Sequence, residues 1–233
     1  INTHPDYAEA ARKHLAQITG IPLITAQDLV AATPDVGAFM HISGVLKRMA
    51  AKLSKTCNDL RLLSSGPRAG MGEINLPPMQ AGSSIMPGKV NPVIPEVVNQ
   101  IAYEVIGNDV TITFAAEAGQ LQLNAFEPVI AHSLFKSLVH LRNGCLTLAD
   151  KCVNGITANV DHLRDNVERS IGIVTALNPH IGYTNATAIA QEALVSGASV
   201  YQLVLDKRLL SQEALDEILQ PEMLTQPRAV AAG

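Results

Sequence analysis

The feature that most limits what this chain can become is a heptad spacing. Phe39, Leu46, Leu53 and Leu60 stand seven residues apart, and Ile42, Met49, Thr56 and Leu63 repeat the interval three residues further on. Apolar residues at that interval form a stripe along one side of an α-helix, and neighbouring helices lying nearly parallel bury such a stripe. A helix over about 35–63 is therefore expected to be a strut of a helical bundle. Thr33-Pro34-Asp35 supplies its start: a capping hydroxyl, a proline in the first turn and an acid near the positive end. Ser64-Ser65-Gly66-Pro67 stops it. Lys47, Arg48, Lys52, Lys55 and Arg61 fall on other faces and are expected in solvent.

Charge says what surrounds that strut. Between Lys89 and Lys136 there is no Lys or Arg, and only Glu96, Glu104, Asp109, Glu117 and Glu127 carry charge. Two more long helices are predicted there. One runs from about Pro92–Pro95 to Gly119, with Val93, Val97, Ile101 and Val105 on a four-residue beat; the other runs from about Asn124 to Lys151, with Pro128 near its first turn. Helices so poor in charge are expected to be covered on most sides. The whole chain is 47% hydrophobic and 16% charged, against roughly 25% charged in ordinary globular domains. In 233 residues that surplus of apolar surface predicts partner subunits.

The remaining elements are shorter. Helices are expected over Thr3–Gly20 and Ala26–Ala32, and, beyond a change of texture near Gly155, over Asn159–Ser170, Val174–Leu177, Tyr183–Ser196, Val200–Lys207 and Ser211–Leu219. Arg169-Ser170, Asn178-Pro179 and Ser196-Gly197 supply the breaks, and Pro227–Gly233 reads as a frayed tail. No convincing strand appears, although Glu73-Ile74-Asn75-Leu76-Pro77 has the makings of a short extended piece. The expected fold is all-α: part of a central helical bundle over 1–157, and a small helical C-terminal domain over 158–233.

Several function classes drop out. A net charge of −4 and a pI near 6.0 give no electrostatic case for nucleic acid. No run of about 18 apolar residues occurs to span a membrane. Cys57, Cys145 and Cys152 are odd in number, lack metal-ligand spacing and read as reduced core thiols of a cytoplasmic protein. The seven histidines form no paired-ligand spacing with carboxylates on one helix face, so no metal and no cofactor is expected; His132 and His140 read as core or interface residues. The chain opens Ile1-Asn2-Thr3 without Met, and is expected to be a piece of a longer protein or a processed one.

Residues 66–92 are too dense in Gly and Pro for a regular element, and a loop this long is usually functional or disordered. Its most informative part is Gln80–Pro92, which gathers two serines, the cation Lys89 and the amide Asn91, with the candidate hinges Gly82 and Gly88 on either side of the serines. By composition this is either an active-site lid or an ordinary inter-helix connection. It is not a phosphate loop: Gly82 precedes Gly88 by one residue too many, Val90 stands where Ser or Thr should follow the lysine, and no strand leads in. No Gly-x-Ser-x-Gly turn supports a Ser-His-Asp hydrolase.

The run Gly82-Ser83-Ser84-Ile85-Met86-Pro87-Gly88-Lys89-Val90-Asn91-Pro92 resembles the signature of the fumarase/aspartase superfamily, and the likeness extends over nearly the whole chain as the C-terminal half of such a protein. Asn58-Asp59-Leu60-Arg61 and Ser64-Ser65-Gly66-Pro67-Arg68 resemble the end of that family's first long core helix, and Gly107-Asn108-Asp109 the middle of its second. Glu73–Pro77, Pro95–Gln100 and Ala115–Asn124 lean toward the branch that eliminates ammonia from L-aspartate. Thr175–Asn178 and His180–Tyr183 are equally at home in the branch that interconverts L-malate and fumarate, which stands as the alternative.

The resemblance implies an elimination next to a carboxylate, producing fumarate from a small dicarboxylate. It implies Ser83 as the base that removes a proton from carbon, and Lys89 and Asn91 as binders of a substrate carboxylate, with Val90 beside them. Ser84 would donate either to substrate or to the loop backbone, and Ile85 and Met86 would form an apolar wall. Glu96 would orient a histidine from another segment; as a first-turn acid it is also what the helix dipole favours. Members of the superfamily assemble each active site from several subunits of a homo-oligomer, with four subunits implied. They also carry a Ser/Thr-rich segment and a Thr-His pair upstream of the signature. Neither lies in these 233 residues, so the chain is expected to hold part of a site and, isolated, to be a helical fragment without turnover.

Overall fold

The structure, a computed structural model, describes residues 2–80, 85–86 and 88–226. They fold into two compact units, one formed by 1–61 with 77–155 and the other by 62–76 with 156–233. The first unit contains α1 (Tyr7–Thr19), α2 (Leu29–Ala32), most of α3 (Gly37–Leu63), α4 (Val93–Glu117) and α5 (Glu127–Lys151). α1 closes on Gly20, whose left-handed backbone lets its N–H reach Ala16 O, and it buries no residue within this chain. α3 starts two residues later than expected. Thr33 Oγ1 is spent on Leu29 O, and the Asp35 carboxylate accepts from Gly37 N at 2.8 Å.

α4 and α5 are 25 residues each and pack along one another. They come close enough at Gly144 that an added Cβ there would lie 3.1 Å from Ile101 Cδ1. Their turn is fixed by buried Asn124, which donates to Ala115 O at 3.0 Å and accepts from Phe126 N at 2.8 Å. Two apolar clusters form the core: Val36, Ile112, Ala115, Ile130 and Leu134, and then Ala50, Ala102, Val105 and Leu141, with Leu46 touching both.

The register of α3 differs from the expected seam. The inward columns are Ser43, Ala50 and Cys57, seven apart, with half-buried Leu46 and Leu53 beside them. Phe39, Ile42 and Met49 lie on an exposed face with Val45. The inward column carries small side chains; the larger apolar residues Phe39, Ile42, Val45 and Met49 are left outward. Polar groups bridge α3 and α4. Asp109, 6% exposed, accepts from Ser43 Oγ at 2.8 Å and Lys47 Nζ at 2.6 Å. Asn99 Nδ2 reaches Ser54 Oγ at 2.8 Å and Asn58 Oδ1 at 3.1 Å. Lys47 is exposed, as expected, and is also the ion-pair partner of buried Asp109. On α4 the buried positions are Val98, Ala102, Val105, Asp109 and Ile112, so the four-residue beat through Val97 is replaced by a three- and four-residue alternation. Within this chain α4 is not covered on most sides: Tyr103, Val110 and Phe114 are exposed, as are Phe135 and Val139 on α5. His132 is exposed as well, while half-buried His140 bonds Glu104, which also pairs with Lys136.

The second unit is built around Ile173, Leu177, Ile189, Val200, Val204 and Leu215. It comprises β1 (Ile74–Asn75), β2 (Thr157–Ala158) and helices α6 (Val160–Arg169), α7 (Val174–Ile181), α8 (Tyr183–Ser196), α9 (Val200–Asp206), α10 (Gln212–Ile218) and α11 (Pro221–Thr225). α7 runs through Asn178-Pro179, where a break was expected. Pro179 stands in its last turn, and the helix ends on Gly182 at φ 78°. Ser211 caps α10 by accepting from Ala214 N at 3.2 Å. α11, too short to show a period, was not anticipated. β1 and β2 form an antiparallel pair, Ile74 opposite Ala158 and Asn75 opposite Thr157, inside the piece read as extended. The expected tail 227–233 lies outside the described residues.

Candidate active-site segment

The signature run lies between β1 and α4. Gly82, Ser83 and Ser84, and Pro87 further along, are outside the described residues, so the assignments of base, second hydroxyl and first hinge rest on the sequence motif. Its far end is described. Lys89 N–H donates to Met86 O at 3.1 Å, which closes a turn, and Gly88 within it has φ +80°, a conformation that suits a residue without Cβ. Asn91 O accepts from Val93 N at 2.8 Å, and Pro92 O from Glu96 N at 3.2 Å, which starts α4.

Lys89, Val90 and Asn91 therefore stand within four residues of the α4 N-terminus, with Glu96 in its first turn. Val93 and Glu96 N–H are already bonded and Pro95 has none, so what favours an anion at that end is the helix dipole, to which an ammonium and an amide add charge and direction. Lys89 and Val90 are exposed and Asn91 is half-buried. Ile85, 87% exposed, and Met86 do not form a packed wall within this chain. Among the described residues no group of three His, Cys, Asp or Glu is disposed to hold a metal ion.

Residues 71–77, which precede the run in sequence, are held by residues that carried no sequence motif. Asn159 Nδ2 donates to Gly72 O at 2.7 Å, Asn159 Oδ1 accepts from Asn75 Nδ2 at 2.7 Å, and Asn159 N donates to Glu73 O at 3.0 Å. His162 Nε2 lies 2.8 Å from Met71 O and 3.2 Å from Asn166 Nδ2. Pro77 packs on Gly155, where an added Cβ would fall 2.5 Å from Pro77 Cγ. The sole signal in the sequence was the extended reading of Glu73–Pro77, which said nothing about a partner.

Known proteins repeat this arrangement of sequence. A family model described as "Lyase" matches residues 1–107, and one described as "Fumarase C C-terminus" matches 173–226. A curated aspartate ammonia-lyase from Helicobacter pylori is 60% identical over 98% of this chain and 49% of its own length. The one from Escherichia coli is 55% identical over 97% of this chain and 48% of its own length. Among solved structures, a fumarate lyase:delta crystallin from Brucella melitensis, bound to cobalt, matches with a TM-score of 0.91 and 54% identity, over 97% of this chain and 49% of that one. A class II fumarase from Schistosoma mansoni matches with a TM-score of 0.82 and 33% identity, over 97% and 50%. The chain spans about half the length of the curated relatives it matches. With the signature run, the two family models and these likenesses together, the chain belongs to the fumarase/aspartase superfamily.

Proposed function

We propose that the whole protein is an aspartate ammonia-lyase, a carbon–nitrogen lyase converting L-aspartate to fumarate and ammonia. The observation that carries this reading is the contrast in identity: 55–60% with curated aspartate ammonia-lyases against 33% with a class II fumarase, over nearly the whole chain in each case. In the proposed reaction Ser83 takes a proton from the carbon next to one carboxylate. The electron pair delocalises into that carboxylate as an enediolate-like intermediate and then returns to form the C=C bond as ammonia leaves. A serine oxygen becomes basic enough only where backbone N–H groups stabilise its charge and water is excluded. Lys89 and Asn91 hold a substrate carboxylate, Val90 lies beside them, and Ile85 and Met86 wall the site once neighbouring segments are in place. Ser84 donates to substrate or to the segment's backbone, Gly82 and Gly88 are its hinges, and Glu96 orients a histidine supplied from elsewhere.

The reading includes a cytoplasmic homotetramer, supported by the outward apolar residues of α3, α4 and α5 and by three unpaired thiols. No helix among the described residues is long and apolar enough to cross a membrane. The match of 173–226 to the fumarase C C-terminus favours fumarate hydratase as the second reading. Fumarate absorbance in the whole protein separates them. The proposal expects fumarate from L-aspartate; fumarate from L-malate alone would replace it with the hydratase.

A further inference from the structure

Within the first unit, the first turns of α4 are tied to α3 by one buried amide. Asn99, 3% exposed, stands six residues after Val93, where α4 begins. Its Nδ2 has three acceptors: Ser54 Oγ at 2.8 Å, Ser54 O at 3.1 Å and Asn58 Oδ1 at 3.1 Å. Its Oδ1 accepts from Arg61 Nη1 at 3.4 Å. Ser54, Asn58 and Arg61 are spaced i, i+4 and i+7 on α3, one face of that helix, so a single side chain of α4 meets all three. Pro95 and Val98, on the same stretch of α4, are buried. Apolar burial is non-directional and tolerates a small rotation of one helix against another; hydrogen bonds to fixed acceptors do not. The chain ahead of α4 is linked to it in turn, Val93 N–H reaching Asn91 O at 2.8 Å and Glu96 N–H reaching Pro92 O at 3.2 Å.

We infer that Asn99 is a positioning residue for carboxylate binding, setting the rotation of the first turns of α4 and through them the place of Lys89 and Asn91. The inference rests on the proposal that Lys89 and Asn91 hold a substrate carboxylate. Lys89 is exposed and Asn91 half-buried, so the backbone they ride on places them more than packing around their side chains does. Asn99 acts through the helix, not by contact with substrate. Releasing it lets the first turns of α4 rotate against α3, and the carboxylate contact loosens in the ground state and the transition state alike. That is a loss of uniform binding, which raises KM and leaves kcat in place. A second polar tie between the same two helices, Ser43 Oγ to Asp109 Oδ1 at 2.8 Å, serves as a control. It lies ten residues further along α4, about 15 Å away along the axis.

The test uses the whole protein, with initial rates of ammonia release from L-aspartate, product inhibition by fumarate, and gel filtration and thermal melting to follow assembly. Asn99→Asp keeps the shape but sets a carboxylate oxygen against the Ser54 carbonyl and Asn58 Oδ1. We expect KM and the fumarate Ki to rise together by about tenfold in Asn99→Asp and Asn99→Ala, the scale of one lost charge-assisted contact, with kcat within about threefold of wild type. Ser43→Ala should lower the melting temperature and leave KM and Ki within about twofold of wild type. Asn58 is exposed, so should the Asn99 variants fail to assemble, Asn58→Ala reads the same contact, with KM and Ki raised about threefold or more. A fall in kcat with KM and Ki unchanged, wild-type kinetics in Asn99→Asp, or an equal rise in Ser43→Ala would each overturn the inference. A wild-type protein inactive on L-aspartate would instead overturn the reading on which it rests.

Discussion

Glu104 shows what a half-buried charge does for two neighbouring helices. Its carboxylate, on α4, pairs with Lys136 and His140 on α5. The hydrogen bond from Lys136 outweighs the opposing effect of burial and, with the interactions with His140, holds its pKa below the ordinary 4.5. A carboxylate with a depressed folded-state pKa stabilises the fold above its unfolded value, and that stability is lost as pH falls through the folded one. The melting temperature should therefore drop on acidification below about pH 4.5, and Glu104→Gln should flatten that acid limb while changing little above pH 6; an identical limb in both proteins would contradict this. Other single residues were harder to read. Lys47 looked like one of five solvated cations, yet it meets Asp109, 62 positions away in sequence. Nothing local marks such a pair. The same holds for Asn159, whose three amide bonds all go to residues more than 80 positions distant.

Among the elements, length and type were legible and the choice of face was not. α5 begins at Glu127, three residues after the expected Asn124, and ends at Lys151 as expected, and α8 matches its expected bounds at Tyr183 and Ser196. In α3 the sequence offers two apolar stripes, and periodicity cannot say which one this chain uses for itself. The inward stripe is the one with Ser43, Ala50 and Cys57, where Ser43 bonds Asp109 and Ala50 packs with Ala102 and Val105; side-chain size decides the fit. The same logic governs the contact between α4 and α5. At Gly144 an alanine methyl would meet the flexible end of Ile101 at 3.1 Å, which a small shift relieves, whereas a leucine has no room. Gly144→Ala should leave stability within about 1 kcal/mol, the packing cost being offset by better helix propensity. Gly144→Leu should cost about 2–3 kcal/mol by overpacking. Urea unfolding checks both; equal stability of the two variants would place the helices further apart than described.

At the scale of the whole molecule the sequence was most informative about what this chain lacks. Two long helices with so few charges predicted apolar surface beyond what one chain can bury, and Phe114 and Phe135 on them, with Phe39 on α3, are exposed within it. In the proposed assembly the site is shared, and the residues that other subunits bring to it have no signal in one chain's local pattern. The signature run, in contrast, pointed directly to a superfamily, since few sequences combine its glycines, serines, cation and amide. The central claim is that the oxygen of Ser83 abstracts a carbon-bound proton from L-aspartate in the assembled protein. Ser83→Ala, assayed beside wild type in the whole protein by fumarate absorbance, tests it most directly. The account predicts a fall in kcat of about 10²–10⁴-fold, the range of a lost general base, with unchanged assembly. A Ser83→Ala protein that still releases fumarate from L-aspartate at the wild-type rate would contradict it.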